Sequence, residues 1–129
     1  MKQPKESVFQ LLNQRMVDVK FLLNEEGTKQ EKNLEVEVEV KAAPTEKKAL
    51  VELTLHVNKD MKDQLFNLSI KNQGVFSWEN LNEEEVKPYL EENAPAVLLS
   101  YIRSTVTNLT LAAGLTPVIL PLLNFKNQE

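Results

Sequence analysis

The sequence contains no cysteine, which excludes disulfides, zinc ribbons, iron–sulfur clusters and a thiol nucleophile. It contains one histidine, His56, so a multi-histidine metal centre is excluded and histidine-based acid–base chemistry is a poor expectation. Three glycines leave no room for a P-loop or a dinucleotide-binding fingerprint. An excess of positive charge is also missing. With 15 Lys and Arg against 19 Asp and Glu the net charge is −4, which argues against binding a phosphate backbone. The opening Met1-Lys2-Gln3-Pro4-Lys5-Glu6 is followed by no apolar h-region, so the expectation is a cytoplasmic protein without a secretion signal. Without such a signal, Asn67-Leu68-Ser69 and Asn108-Leu109-Thr110 read as chance matches to the glycosylation pattern.

The chain does have ordinary globular material. Its 129 residues are 42% hydrophobic and 26% charged, enough for one domain over residues 1–129 with a core of its own. The charge is unevenly spread. Residues 94–125 carry a single charge, Arg103, where average composition would place about eight. This stretch is not a membrane span. Ser100, Ser104, Thr107 and Asn108 interrupt it, and Pro117 and Pro121 break its end.

The first part reads as sheet. Leu34, Val36, Val38 and Val40 alternate with Glu35, Glu37 and Glu39, which puts the two sets on opposite faces of a strand. Ala49, Val51, Leu53, Leu55 and Val57 alternate with Glu52, Thr54, His56 and Asn58 in the same way. So do Phe66, Leu68 and Ile70 with Asn67, Ser69 and Lys71. The links 42–48 and 59–64 are short and polar, which suits antiparallel hairpins and not parallel crossovers. Residues 7–23 are ambiguous. Val17, Val19, Phe21 and Leu23 alternate as a strand, while Val8, Leu11, Leu12, Val19, Leu22 and Leu23 also fit a helical stripe. The β-branched Val17 and Val19 favour a strand from about Asn13. A polar connector is expected at 27–33.

The second part reads as helix and extended tail. Asn82-Glu83-Glu84-Glu85 is a cap with acidic first-turn residues, and Glu85 is placed for a capping box. Pro88 predicts a short or distorted helix, Asn93 a cap for a longer one, and Gly114 its stop. Leu98, Ile102, Thr105, Leu109 and Ala112 lie along one stripe of that helix, widened by Val106 and Ala113. The opposite face offers Ser100, Ser104, Thr107, Asn108 and Leu111 where a monomer would show Lys and Glu. Depleted charge of this kind suits a subunit interface. Residues 116–125, with two prolines, are expected to be an extended apolar segment.

No constellation of residues points to catalysis. His56 lies on the polar side of its strand beside Glu52 and Thr54, the setting of a solvated residue more than of a ligand. Glu35, Glu37 and Glu39 sit ~6.5–7 Å apart along one face, too far for one tight ion, and serve either solubility or a basic partner. Trp78 is either a core residue or an anchor at a contact surface.

Several strings, in order, resemble the SecB family of export chaperones. Phe9-Gln10 through Gln14-Arg15 and then Asp18-Val19-Lys20-Phe21 resembles the family's first strand. Gln73-Gly74-Val75-Phe76-Ser77 resembles its Gly-aromatic turn after the fourth strand. Asn93-Ala94-Pro95-Ala96-Val97-Leu98-Leu99-Ser100-Tyr101-Ile102-Arg103 resembles the helix opening. Gly114-Leu115-Thr116-Pro117 followed by Leu120-Pro121-Leu122-Leu123-Asn124-Phe125 resembles the family's most diagnostic stretch. The resemblance implies an α+β fold, a four-stranded antiparallel sheet with helices packed on one face. It implies a homo-oligomer, dimer or tetramer, with Ser100, Arg103, Ser104, Thr107, Asn108 and Leu111 at the interface. It implies ATP-independent holding of unfolded polypeptide in apolar grooves, with no catalytic residue, metal or cofactor. The expected lining is Phe76, Trp78, Leu115, Pro117, Leu120, Leu122 and Phe125. Asp18 matches one acidic position by which the family contacts the SecA motor; two other such positions match Leu22 and Ser69. An oligomeric adaptor for one dedicated folded partner is the alternative reading.

Overall fold

The structure is a computed structural model that describes residues 8–26, 34–60 and 64–125. The connector expected at 27–33 and residues 61–63 of the β3–β4 link lie outside the described residues.

Four antiparallel strands, β1 (Phe9–Leu23), β2 (Val36–Pro44), β3 (Lys48–Val57) and β4 (Phe66–Trp78), form one sheet in the order β1-β4-β3-β2. β4 and β3 are central, and their inward residues alternate without a break. Phe66, Leu68, Ile70, Asn72, Phe76 and Trp78 on β4 and Val51, Leu53, Leu55 and Val57 on β3 are buried. The Gly-aromatic string 73–77 is therefore not a turn. β4 runs straight through it, and Gly74 pairs with both Gln14 and Val51. Gly74 is there for space, since a Cβ would stand 2.8 Å from Leu98 Cδ2 and 2.9 Å from Phe76 Cε2.

β1 begins at Phe9, four residues before the expected start. Register shifts between Leu11 and Asn13 and between Met16 and Asp18 explain both the earlier start and the helical look of this segment. Each bulge inserts one residue into a period-two pattern, and the resulting spacings imitate a helix. At the other edge, β2 ends on Pro44, a position where no ladder donor is needed. The hairpin to β3 closes with Thr45 N–H donating to the Lys48 carbonyl at 2.7 Å. After β3, Asn58 adopts a left-handed φ of 56° and is fully buried. Its Nδ2 donates to the Phe66 carbonyl and its Oδ1 accepts from Glu35 N–H, which ties three strands at one corner.

The helical part is one path of three pieces: α1 (Glu83–Pro88), a π-helical turn (Tyr89–Asn93) and α2 (Ala94–Ala112). The expected capping box is formed, with Asn82 Oδ1 accepting from Glu85 N–H at 2.8 Å and Glu85 Oε1 accepting from Asn82 N–H at 3.1 Å. Asn93 does not cap α2. Its backbone is helical and its side chain makes no cap bond, because the chain never leaves the helix there. Pro88 and Pro95 explain the wide turn between them. A proline lacks the N–H of the regular ladder and its ring crowds the carbonyl four residues back, and a π turn relieves both by letting Ala94 N–H reach the Tyr89 carbonyl. At the far end Gly114 takes φ 83°, Gly114 N–H donates to the Leu111 carbonyl and Leu115 N–H to the Thr110 carbonyl, a Schellman stop.

α2 lies over β3 and β4, less over β1. Its buried residues Leu98, Leu99, Ile102 and Val106 close the core together with Leu120 and Phe125 from the extended tail. Phe9 stacks on Phe76, Trp78 and Tyr89 at 5.2, 6.0 and 5.0 Å, an aromatic cluster that joins the start of β1 to the end of β4 and to the π turn. No helix among the described residues is long and apolar enough to cross a membrane.

Candidate polypeptide-binding surfaces

The tail after Gly114 is extended, as its prolines require, and runs back along α2 in the opposite direction. Both backbone groups of Val118 are held by α2 side chains. Thr107 Oγ1 donates to its carbonyl at 2.7 Å, and its N–H donates to Thr110 Oγ1 at 2.9 Å. Two residues on, Arg103 Nε donates to the Leu120 carbonyl at 3.1 Å. The tail's apolar side chains then diverge. Leu120 and Phe125 are buried, whereas Ile119 and Leu122 are 76% and 82% exposed.

The residues expected at a subunit interface therefore divide. Arg103 and Thr107 do not present an open outer face; they are used inside the chain to hold the tail. This is why the one charge in 94–125 occurs where it does. Ser100, Ser104, Asn108 and Leu111 include the outward positions of α2, with Ser100, Ser104 and Leu111 exposed and Asn108 exposed beside them. With Val97 and Tyr101, both exposed, they give a seam of Val97, Tyr101, Ser104, Asn108 and Leu111 at spacings of four, three, four and three, the repeat by which helices pack side by side.

The residues expected to line a groove are also placed unequally. Phe76, Trp78, Leu120 and Phe125 are buried in the chain's own core, Leu115 is half-buried, and Pro117 and Leu122 are exposed. Burial of the first four follows from inward strand positions and from the tail lying against α2; period-two alternation carries that signal for Phe76 and Trp78.

Trp78 does line a cleft of about 800 Å3 between the β2–β3 hairpin and α1. Pro44, Leu81, Val86 and Leu90 complete its apolar floor, and Glu46, Lys47 and Lys87 stand at its rim. Sequence patterning does not reveal this cleft, because it arises from a hairpin and a helix far apart in the chain.

The opposite face of the sheet is polar and laced with ion pairs. Lys71 meets the half-buried Glu52 at 3.8 Å, and Lys59 meets Glu37 at 3.9 Å in an exposed pair worth under about 1 kcal/mol. His56 lies on this face between Glu37 of β2 and Ser69 of β4. Asp18 is here too, 3.6 Å from Lys20, with Leu22 and Ser69 on the same face. Among the described residues no group of three or more His, Cys, Asp or Glu is placed to hold a metal ion.

A four-stranded antiparallel sheet with one long helix across it and an apolar tail beside that helix defines the class of SecB-like chaperone folds. Residues 3–128 match the family described as Preprotein translocase subunit SecB, and the chain belongs to the SecB family. An uncharacterised protein of Methanocaldococcus jannaschii is 28% identical over 130 residues, covering 96% of this chain and 84% of that protein. The protein-export protein SecB of Burkholderia vietnamiensis is 30% identical over 96 residues, 73% of this chain and 60% of the relative. That of Dinoroseobacter shibae is 26% identical over 95 residues, 71% of this chain and 55% of the relative, so the chain spans little more than half of the export proteins it matches. In fold it is similar to a Mycobacterium tuberculosis SecB-like chaperone solved in complex with a ChAD peptide from an antitoxin, with a TM-score of 0.74 at 20% identity over 90% of each chain.

Proposed function

We propose that this chain is an ATP-independent, polypeptide-binding chaperone that acts as a homo-oligomer in the cytoplasm. The observation that carries this reading is the exposed apolar surface along the tail. Ile119 and Leu122 are 76% and 82% exposed in a region that carries one charge, itself turned to the tail. Burial of apolar surface is worth ~25 cal/mol per Å2 and is indifferent to sequence, which is what holding many unfolded clients requires. Family membership supports the holdase role and a soluble, cytoplasmic location. The antitoxin peptide bound by the Mycobacterium tuberculosis chaperone supports peptide binding on this fold. The Val97–Leu111 seam, uncharged along its length, supports helix-to-helix assembly. No catalytic role is part of the proposal. Nor is delivery to SecA, since of the three positions that match the family's acidic contacts only Asp18 is acidic, and it is ion-paired with Lys20, while Leu22 and Ser69 carry no charge.

One observation favours a second reading. Leu120 and Phe125 are buried, as they would be in an adaptor whose tail is closed and whose partner is a folded protein. Light scattering with a permanently unfolded polypeptide titrated in separates the two. An oligomer that gains the mass of the polypeptide and suppresses its aggregation supports the holdase. An oligomer that ignores it, and leaves the dye ANS dark, supports the adaptor.

A further inference from the structure

The contacts between α2 and the tail have an unusual chemical character. Three side chains of α2 make three hydrogen bonds to the tail, and every one goes to tail backbone: the Val118 carbonyl, the Val118 N–H and the Leu120 carbonyl. Thr107 and Thr110 lie three residues apart on one helix face and bind both backbone groups of a single residue, as a neighbouring strand would. Arg103, one turn back, takes the carbonyl two residues on, where an extended chain repeats its geometry. Such bonds do not read side chains. The side-chain selection comes from burial of Leu120, which is 2% exposed.

The tail is also poorly fitted to be a permanent part of the core. Pro117 and Pro121 deny it the donors with which a strand would join the sheet. Two of its bulky apolar side chains, Ile119 and Leu122, gain little from being seated. The hold on residues 116–121 rests on three backbone bonds, one buried leucine and the half-buried side chain of Val118.

We propose that Arg103, Thr107 and Thr110 form a backbone-reading clamp for an extended apolar segment of non-native polypeptide, and that the chain's own residues 118–120 occupy the clamp until a client displaces them. The occupant is specified by chemistry. It is an extended segment with an aliphatic or aromatic residue two positions after the one held by the threonines, and it carries no charge there. The inference rests on the holdase reading and adds to it a site, a selection rule and a competitor. Because the competent state is populated only when the tail is away, client affinity is reduced by that fraction, and loosening the tail restores it.

The test follows the Val118 amide by NMR hydrogen exchange while reduced, carboxymethylated α-lactalbumin is titrated into the intact protein. Binding is expected to accelerate exchange at Val118 at least tenfold while the amides of Ile102 and Val106 keep their protection. The variant Leu120→Ser, which withdraws the tail's buried side chain from the core it shares with α2, should bind the polypeptide about tenfold more tightly, the equivalent of ~1.4 kcal/mol lost from tail seating. Adding Thr107→Val to it should remove most of that gain. Polypeptide that binds while Val118 stays protected overturns the clamp and leaves the holdase standing. Wild type and Leu120→Ser that both ignore the polypeptide overturn both. The wild-type exchange measurement decides the case by itself if the variant fails to fold.

Discussion

Asn72, fully buried at the centre of β4, donates from Nδ2 to the main-chain carbonyl of Leu98 on α2 at 3.1 Å. Its Oδ1 accepts from Gln14 Nε2 on β1 at 2.7 Å. One amide thus links edge strand, central strand and helix, and it does so one step along the inward row of β4 from Gly74, where Leu98 presses closest. Apolar packing would tolerate a helix shifted by a turn; a buried hydrogen bond to one particular carbonyl does not.

Asn72→Ala is expected to cost about 1–3 kcal/mol in urea denaturation, the range for leaving buried partners unsatisfied. Asn72→Asp should behave differently with pH. A buried carboxylate facing a carbonyl is disfavoured, so burial raises the folded-state pKa of the introduced acid above its unfolded value. The stability of that variant is then greatest at low pH, where the neutral acid can still donate to Leu98, and is lost as pH rises through the folded pKa. A variant equally stable at pH 5 and pH 8 would show that the side chain had turned away from the helix.

Gly74 and Gly114 make a matched pair for the second prediction. At Gly74 the backbone is ordinary strand and the obstacle is space, with Leu98, Phe76 and Leu11 all within 3.2 Å of an added Cβ. At Gly114 there is nothing within 4 Å and the obstacle is the angle, φ 83°. Gly74→Ala should cost about 1–3 kcal/mol through overpacking. Gly114→Asn should cost less, because asparagine accepts a left-handed backbone, whereas Gly74→Asn should cost more than Gly74→Ala. Thermal melts of the three variants beside the wild type check the order.

These two glycines also mark how far local patterns reach. The role of Gly114 is legible in the sequence, because a glycine after an apolar helical stripe has one common meaning. That of Gly74 is not; its string looks like a turn, and only the neighbouring strand and helix reveal a close-approach site. Strands β2 and β3 are legible from strict alternation. β1 is half legible, since its bulges scramble the period. The charge-poor helix stands out in the sequence, but half of its explanation lies within the chain. Arg103 and Thr107 serve the tail, and no local pattern shows a side chain bonding to a carbonyl seventeen residues later. The cleft at Trp78 is hidden for the same reason, being a product of tertiary arrangement.

The outward seam of α2 supplies the third prediction. Ser104 is at its middle and is exposed. Ser104→Arg places a long charged side chain at the centre of a helix-to-helix contact. It should leave the melting temperature of the subunit fold nearly unchanged and lower the mass seen by light scattering to that of a smaller species. An unchanged mass would move the interface off this face.

The last prediction concerns the tail's outer side chains. Ile119 and Leu122 are the two most exposed large apolar residues among the described ones, so truncating them removes little buried surface. Ile119→Ser with Leu122→Ser should shift subunit stability by no more than about 0.5 kcal/mol per site, the range for surface positions. It should also leave the Val118 and Leu120 backbone bonds in place, since those depend on Thr107, Thr110 and Arg103. If these side chains receive clients, the double variant should bind unfolded polypeptide several-fold more weakly and give a dimmer ANS signal at unchanged fold. A loss of stability instead would mean that the pair is covered in the assembled oligomer, and the mass by light scattering would fall with it. Normal client binding at normal stability would separate client holding from the exposed tail altogether and shift it to the cleft at Trp78, where Leu81→Ser is the next substitution to make.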